Sequence, residues 1–317
     1  MESVRFVPVG LFSSVMGIGG LALAWRRAAA HWGLPDVIWQ VLAGAAAVVF
    51  LLVALLYAVK LTRFPAAARA EWAHPVKVAF VPTATVSLLV LAAVWRDLAP
   101  GAAATAWWIG AVGHLGLTVA VIVAWIHRTG IAIGHVTPAW FIPVVGNVVT
   151  PLATPTVGSV ELAWVSFGVG IVCWLALLPI VLARLIFADP LPPHLAPTIA
   201  VLIAPPAVSA TSLLVLGGRD AALPVVLGLV GTALAFAVVA IGFVPALRRA
   251  PFGVPWWATT FPLAALAGAL LALAGTVGGV GWNVLAGVVL GIATVVVIGV
   301  ASRTVRAAVR RTLFVPD

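Results

Sequence analysis

The chain has 317 residues, of which 64% are apolar and only 8% charged, and its mean hydropathy is +1.23. A soluble domain carries about 25% charged residues, so a soluble globular fold is excluded. The formal net charge of +9 would suit nucleic acid, but the cations stand beside the ends of apolar stretches, where they meet anionic headgroups and fix topology, and no nucleic-acid partner is expected.

Ten apolar stretches of membrane length follow one another, at 4–25, 37–60, 76–95, 104–127, 137–158, 162–186, 194–217, 221–244, 255–275 and 281–303. Each has about twenty residues or slightly more, enough to cross a hydrocarbon core of ~30 Å as an α-helix. The predicted fold is an all-α polytopic membrane protein, one ten-helix domain over 1–317 with the lipid bilayer around it. The first stretch imitates a signal peptide, with Arg5, an apolar run and then Ala22-Leu23-Ala24. Pro8, Gly10, Ser13, Ser14, Gly17, Gly19 and Gly20 suit a kinked, packed helix better, so it is read as a crossing.

Proline sets a repeat along these stretches. Pro8, Pro82, Pro143, Pro205 and Pro262 interrupt the first, third, fifth, seventh and ninth, at separations of 74, 61, 62 and 57 residues. A period near sixty is two crossings plus their loops, so the chain reads as five helical hairpins whose first helix is broken and whose second is smoother. Proline removes a backbone donor and frees a carbonyl one turn earlier. At membrane depth that carbonyl is tolerated only against protein or a water-filled cavity, so the odd helices are expected to ring a pore and the even ones to lie outside.

Polarity follows the same division. The third stretch carries Thr83, Thr85 and Ser87, the fifth Gly146, Asn147 and Thr150, and the ninth Thr259 and Thr260. Even stretches hold Val, Leu and Ala punctuated by glycines such as Gly110, Gly113 and Gly116, which let helices approach closely. Candidate lining residues are Ser13, Ser14, Gly17, Thr83, Asn147 and Thr260, with the five prolines shaping the path.

Basic residues assign the sides. Thirteen fall in the N-terminus, the even-numbered connections and the C-terminus, from Arg5 through Lys60, Arg63, Arg69, Lys77, Arg128, Arg184, Arg248 and Arg249 to Arg303, Arg306, Arg310 and Arg311; the other side has four, Arg26, Arg27, Arg96 and Arg219. The positive-inside rule then places both termini in the cytoplasm. An Arg-rich, Lys-poor composition heavy in Ala, Val and Gly points to the inner membrane of a bacterium.

No predicted span has Asp, Glu, Lys or Arg in its central portion, which removes the usual mark of a proton relay or cation site. His114 stands mid-span in the fourth and is expected to hydrogen-bond inside the bundle. His31, His74, His127, His135 and His194 lie at span ends or in loops, and their spacing builds no metal site. The lone Cys173 is read as a small core residue. Nucleophile elbow, phosphate loop and His/Glu metal signature are all missing from the sequence, and Glu71 with His74 stands isolated, so neither enzyme chemistry nor a cofactor is expected. A pore without an acidic ring admits anions, drawn by Ser, Thr and Asn donors, backbone N–H groups and the basic clusters at 60–77 and at Arg248 with Arg249.

Three segments carry a family resemblance: Gly10-Leu11-Phe12-Ser13-Ser14-Val15-Met16-Gly17-Ile18-Gly19-Gly20-Leu21, Thr137-Pro138-Ala139-Trp140-Phe141-Ile142-Pro143-Val144-Val145-Gly146 and Trp256-Trp257-Ala258-Thr259-Thr260-Phe261-Pro262. They resemble the first, fifth and ninth helices of the tellurite-resistance/dicarboxylate transporter family, which includes bacterial TehA and the plant slow anion channels. The resemblance implies a homotrimer in which each protomer has its own pore, formed by the odd helices of five quasi-symmetric hairpins. It also implies a passive channel for small anions such as chloride or nitrate, gated by a phenylalanine that falls on Phe261. The alternative within the family is a proton-coupled carrier of C4-dicarboxylate, sulfite or tellurite, for which His114 is the residue to examine. Few residues flank the outermost spans, so control through a phosphorylated tail, as in plant members, is not expected.

Overall fold

The computed structural model describes residues 2–217 and 223–314, and these contain helices and connections with no strand among them. Ten apolar helices follow in order: α1 Val9–Trp32, α2 Val37–Arg63, α3 Lys77–Trp95, α4 Pro100–His127, α5 Pro138–Ala153, α6 Val160–Phe187, α7 Pro193–Gly217, α8 Leu223–Gly242, α9 Val254–Val277 and α10 Val280–Val309. Among the described residues all but α5 are long and apolar enough to cross a membrane as they stand. The shorter α5 has 3-10 pitch at both ends, over Pro138–Phe141 and Gly146–Ala153, around a single α-turn at Ile142–Val145. A 3-10 helix rises about 2.0 Å per residue against 1.5 Å for an α-helix, so α5 still covers about 30 Å.

Two concentric layers result. Helix α1 packs on α3 and α9, α5 on α3 and α7, and α7 on α9, which closes a ring of five; each of α2, α4, α6, α8 and α10 packs outside the helix that precedes it. The long inner helices are 67–83% buried over their most apolar stretch and the outer ones 17–33%. Outward-facing Leu55, Ile126, Ile186, Val238 and Val295 are the surface that lipid would cover.

Inner helices change pitch. Helix α1 opens as 3-10 over Val9–Phe12 and becomes α at Ser13; α3 changes at Thr83, α7 at Ala204 and α9 at Thr260. The prolines stand at these junctions rather than in the middle of α-helical runs. Pro82 caps the α part of α3, Pro143 and Pro205 are second in theirs, Pro262 is third, and Pro8 precedes the 3-10 turn of α1. In the first turn of an α run the missing amide is tolerated, so Pro82, Pro143, Pro205 and Pro262 mark where the α pitch begins, while Pro8 lies ahead of the 3-10 turn that precedes Ser13.

The break at Pro8 is held by a buried ion pair. Lys60 Nζ stands 3.0 Å from Glu71 Oε1 and donates to the Val7 carbonyl at 2.7 Å. Glu71 accepts from the Val9 amide at 3.3 Å and from the Tyr57 hydroxyl at 3.0 Å. The carbonyl before Pro8 and the amide after it are thus both satisfied from α2 and from the surface helix Pro65–Ala73. Glu71 is not isolated, as the sequence reading had it.

Helix α1 also runs further than 25. Ala28, Ala29 and Ala30 propagate it, and Gly33, at φ 67°, ends it with its amide on the Ala29 carbonyl. Arg26 and Arg27, assigned to a connecting loop from sequence, therefore stand in its last two turns. Arg219, counted with them, lies outside the described residues, as do the first two residues of the 221–244 span.

Candidate functional site

Two cavities lie end to end inside the ring. The first, about 60 Å³, is walled by Ser13 and Met16 of α1, Phe80 and Val86 of α3, Phe141, Ile142, Val145, Gly146, Val148 and Val149 of α5, Val201, Ala204, Pro205 and Val208 of α7, and Trp257, Ala258, Phe261 and Pro262 of α9. The second, about 20 Å³, is walled by Gly20, Leu23 and Arg27 of α1, Leu152 of α5, Val208 and Thr211 of α7, and Phe261, Ala264 and Ala265 of α9. On α1 and α5 the residues of the first cavity come earlier in the chain than those of the second, and on α7 and α9 the first set begins earlier and the two meet at Val208 and at Phe261. Because all inner helices start on the face where α1 begins and α10 ends, the first cavity lies toward that face and the second toward the opposite one. At roughly 10–15 Å³ per water, the first has room for a few waters and the second for one.

Val208 and Phe261 are common to both walls. Phe261 is 7% exposed, and its Cδ2 lies 2.8 Å from the point where Gly20 would carry a Cβ. The ring sits on bare backbone of α1, a seat that any other residue at position 20 would occupy. Neighbouring Gly17 meets Thr260 instead: a Cβ there would fall 2.1 Å from Thr260 Oγ1. These two glycines let α1 and α9 approach closely at the level where Phe261 lines both cavities.

Ser13, Pro205 and Pro262 of the candidate residues reach the first cavity. Pro143 does not, although its neighbour Ile142 does, and Pro8 and Pro82 lie outside both walls. Ser14 and Thr260 are buried and donate to carbonyls of their own segments, Leu11 and Trp257, and buried Thr83 is shared between the Phe80 carbonyl of its own helix and the Val9 carbonyl of α1. Asn147 points to the outer layer, where Nδ2 donates to Thr118 Oγ1 at 2.8 Å. Hydroxyls in a membrane helix bond back one turn, so a polar residue on an inner helix need not face the axis.

The first cavity is almost wholly apolar. Its one hydroxyl, Ser13, donates to the Gly10 carbonyl at 2.5 Å. The second holds Arg27, the single charged side chain on either wall among the described residues. Neighbouring cations are occupied: Arg26 pairs with Asp97 and donates to the Ala93 and Val94 carbonyls, and Arg96 donates to the Leu152 carbonyl at 2.7 Å. Burial lowers Arg96 from the ordinary arginine value, yet a guanidinium keeps its charge in proteins.

His114 is fully buried between α3 and α5. Thr85 donates to the Pro82 carbonyl and so accepts from His114 Nδ1–H at 2.9 Å. That leaves Nε2 as an acceptor with no hydrogen-bond partner, against the backbone of Gly146. No group of three or more His, Cys, Asp or Glu capable of holding a metal occurs among the described residues.

The family described as the SLAC1 voltage-dependent anion channels matches residues 7–305, from before α1 into α10. The chain belongs to this family. It is 27% identical over 285 residues to an uncharacterized transporter of Methanocaldococcus jannaschii, covering 82% of this chain and 81% of the relative. It is 27% identical over 328 residues to the S-type anion channel SLAH2 of Arabidopsis thaliana, covering 99% and 62%. A tellurite resistance protein TehA homolog of Haemophilus influenzae is 26% identical over 201 residues, covering 63% and 61%. As a SLAC1-family member the protein is a multi-pass membrane protein of the anion channel and transporter class.

Sequence reasoning missed Val208, Gly20 and Arg27. A signal for two of them was present: Ser13, Gly20 and Arg27 are seven residues apart, so on a helix they share one face. Met16 and Leu23 complete the stripe, and all five line the cavities.

Proposed function

We propose that this SLAC1-family protein is a passive channel for small anions such as chloride and nitrate, closed by Phe261. The observation that carries the reading is that, among the described residues, Val208 and Phe261 alone belong to both stacked cavities. An ion reaching this constriction would shed its water between an aromatic ring and a valine, with no replacing ligand, and an apolar constriction of that kind is a barrier. Rotation of the ring off Gly20 would join the two cavities into one path between the faces. The S-type anion channel names of the Arabidopsis relatives favour a channel over a coupled carrier. The reading includes a bacterial inner-membrane location with cytoplasmic termini, supported by the thirteen-to-four count of basic residues, and a homotrimer with one pore per protomer.

The test is anion current through the protein in planar bilayers, comparing it with Phe261→Ala in chloride, nitrate and malate. The variant is expected to conduct well above the parent, with a reversal potential that follows the anion gradient. Silence of both proteins, together with uptake of labelled dicarboxylate or sulfite driven by a proton gradient, would replace the channel with the carrier and return Phe261 to a packing role.

A further inference from the structure

We propose that Arg27 holds a single small monovalent anion, of chloride or nitrate size, in the cavity between Phe261 and the face opposite the termini. The inference rests on the channel reading for its role in conduction, but the site itself stands on four observations. The first is direction. Arg27 continues the stripe Ser13, Met16, Gly20 and Leu23 at spacings of three and four residues, and the members before it all line the two cavities, so the guanidinium is on the axial side of α1.

The second is room. Arg27 Nη1 lies 3.0 Å from the point where Gly268 of α9 would carry a Cβ, so a glycine one turn beyond Ala264 accommodates the guanidinium at the α1/α9 seam. The third is the state of its charge. Arg26 takes Asp97 together with two carbonyls, Arg96 takes the Leu152 carbonyl and stands 3.9 Å from the same carboxylate, and Asp36 accepts from Trp39 Nε1. Arg27 has neither an ion pair nor a hydrogen bond among the described residues. A guanidinium on the wall of a narrow cavity is stabilised by a counter-ion, and none of the described carboxylates supplies one to Arg27.

The fourth is the size and poverty of the site. About 20 Å³ admits one particle near the size of a water and has no space for a dicarboxylate. Thr211, the other polar residue on the wall, spends its proton on the Ala207 carbonyl at 3.2 Å, so the donors offered to an anion are those of Arg27 alone. One guanidinium and apolar walls make a weak site, and conduction needs binding weak enough to be left. Charge selectivity would then arise at Arg27, on the far side of the ring, and not from the inner hydroxyls.

Two readouts test this. In bilayers, Phe261→Ala is compared with the double variants Phe261→Ala/Arg27→Gln and Phe261→Ala/Arg27→Lys. The anion-to-cation permeability ratio is expected to fall about tenfold with Gln, the lower end of what a charge-lined cleft contributes to local ion concentration, and to survive with Lys. Separately, the purified full chain and its Arg27→Gln and Arg27→Lys variants are heated in detergent while chloride or nitrate replaces gluconate at constant ionic strength. Stabilisation by the small anions is expected for the parent and the Lys variant and not for Gln. If conduction fails for every protein while this anion-dependent stabilisation is seen, the site stands and the plug reading falls. If Arg27→Gln keeps both the permeability ratio and the stabilisation by chloride, the site is overturned.

Discussion

The inner and outer helices share a bilayer-length requirement and meet it differently. Outer helices α2, α4, α6, α8 and α10 keep α pitch from end to end, α6 even through its interior Pro179, since lipid offers little to a carbonyl released from its helix. Inner helices change pitch partway, carry the prolines discussed above, and place Ser13, Thr83, Ser209 and Thr260 in protein-covered positions. Changes of pitch are confined to the layer where protein can answer them. The difference teaches where to look for function: a pitch change next to a cavity is affordable only in the inner ring, and Phe261 follows such a change directly, one residue past Thr260.

The largest effect is expected where the inner layer depends on a single buried contact. Glu71 answers both the amide after Pro8 and the ammonium of Lys60. Replacing it with alanine strands a buried Lys60, 2% exposed, beside an open helix break. Removal of one partner of a buried ion pair costs about 3–5 kcal/mol. Glu71→Ala is therefore expected to lower the thermal midpoint in detergent, followed by tryptophan fluorescence, more than any other substitution discussed. Lys60→Met with Glu71→Gln together should recover part of the loss, since neither group then carries an unpaired charge. A midpoint unchanged in Glu71→Ala would mean that the start of α1 holds without the pair.

A smaller loss is expected at the contact between α1 and α9. A methyl at position 17 would fall 2.8 Å from Thr260 Cβ as well as on its hydroxyl, and Thr260 is fully buried. Overpacking of this kind costs roughly 1–3 kcal/mol. Gly17→Ala should lower the midpoint by less than Glu71→Ala and should also widen the seam on which Phe261 rests, so leak current above the parent accompanies it. A stable, tight Gly17→Ala protein would show that the seam absorbs a methyl and does not fix the ring.

How much of this was legible follows from the same physics. Membrane length, hairpin order and the inner-outer division were readable because hydropathy and proline spacing are properties of the chain itself. The facing of individual hydroxyls was not. Thr83, Thr260 and Ser14 are polar and on inner helices, yet Thr260 and Ser14 bond to their own segments and Thr83 to Phe80 and to Val9 of the neighbouring α1, an outcome that depends on rotamer and not on position in sequence. Arg27 was obscured by a boundary. A span assumed to end at 25 makes it a loop cation, whereas the alanines that follow carry the helix to Gly33 and turn it toward the second cavity. Glu71 was obscured by distance, since its partner Val9 is 62 residues away. The resemblance supplied Phe261, and the geometry adds that its ring rests against Gly20 and that it lines both cavities together with Val208.

The smallest effect tests the outer layer. Leu55 on α2 is 64% exposed on a helix that touches the ring only through its other face. In a bilayer this side chain meets lipid both in the folded protein and in the separated helix, so truncation removes little that folding had gained. Leu55→Ala is expected to change the thermal midpoint by an amount corresponding to less than about 0.5 kcal/mol, and to leave current through Phe261→Ala unchanged when the two are combined. A loss as large as that of Gly17→Ala would break the comparison in a useful way. It would mean that this face of α2 is covered by protein, and the cover available to a chain of this kind is a second copy. Crosslinking between cysteines placed at position 55 in different copies would then locate the subunit interface.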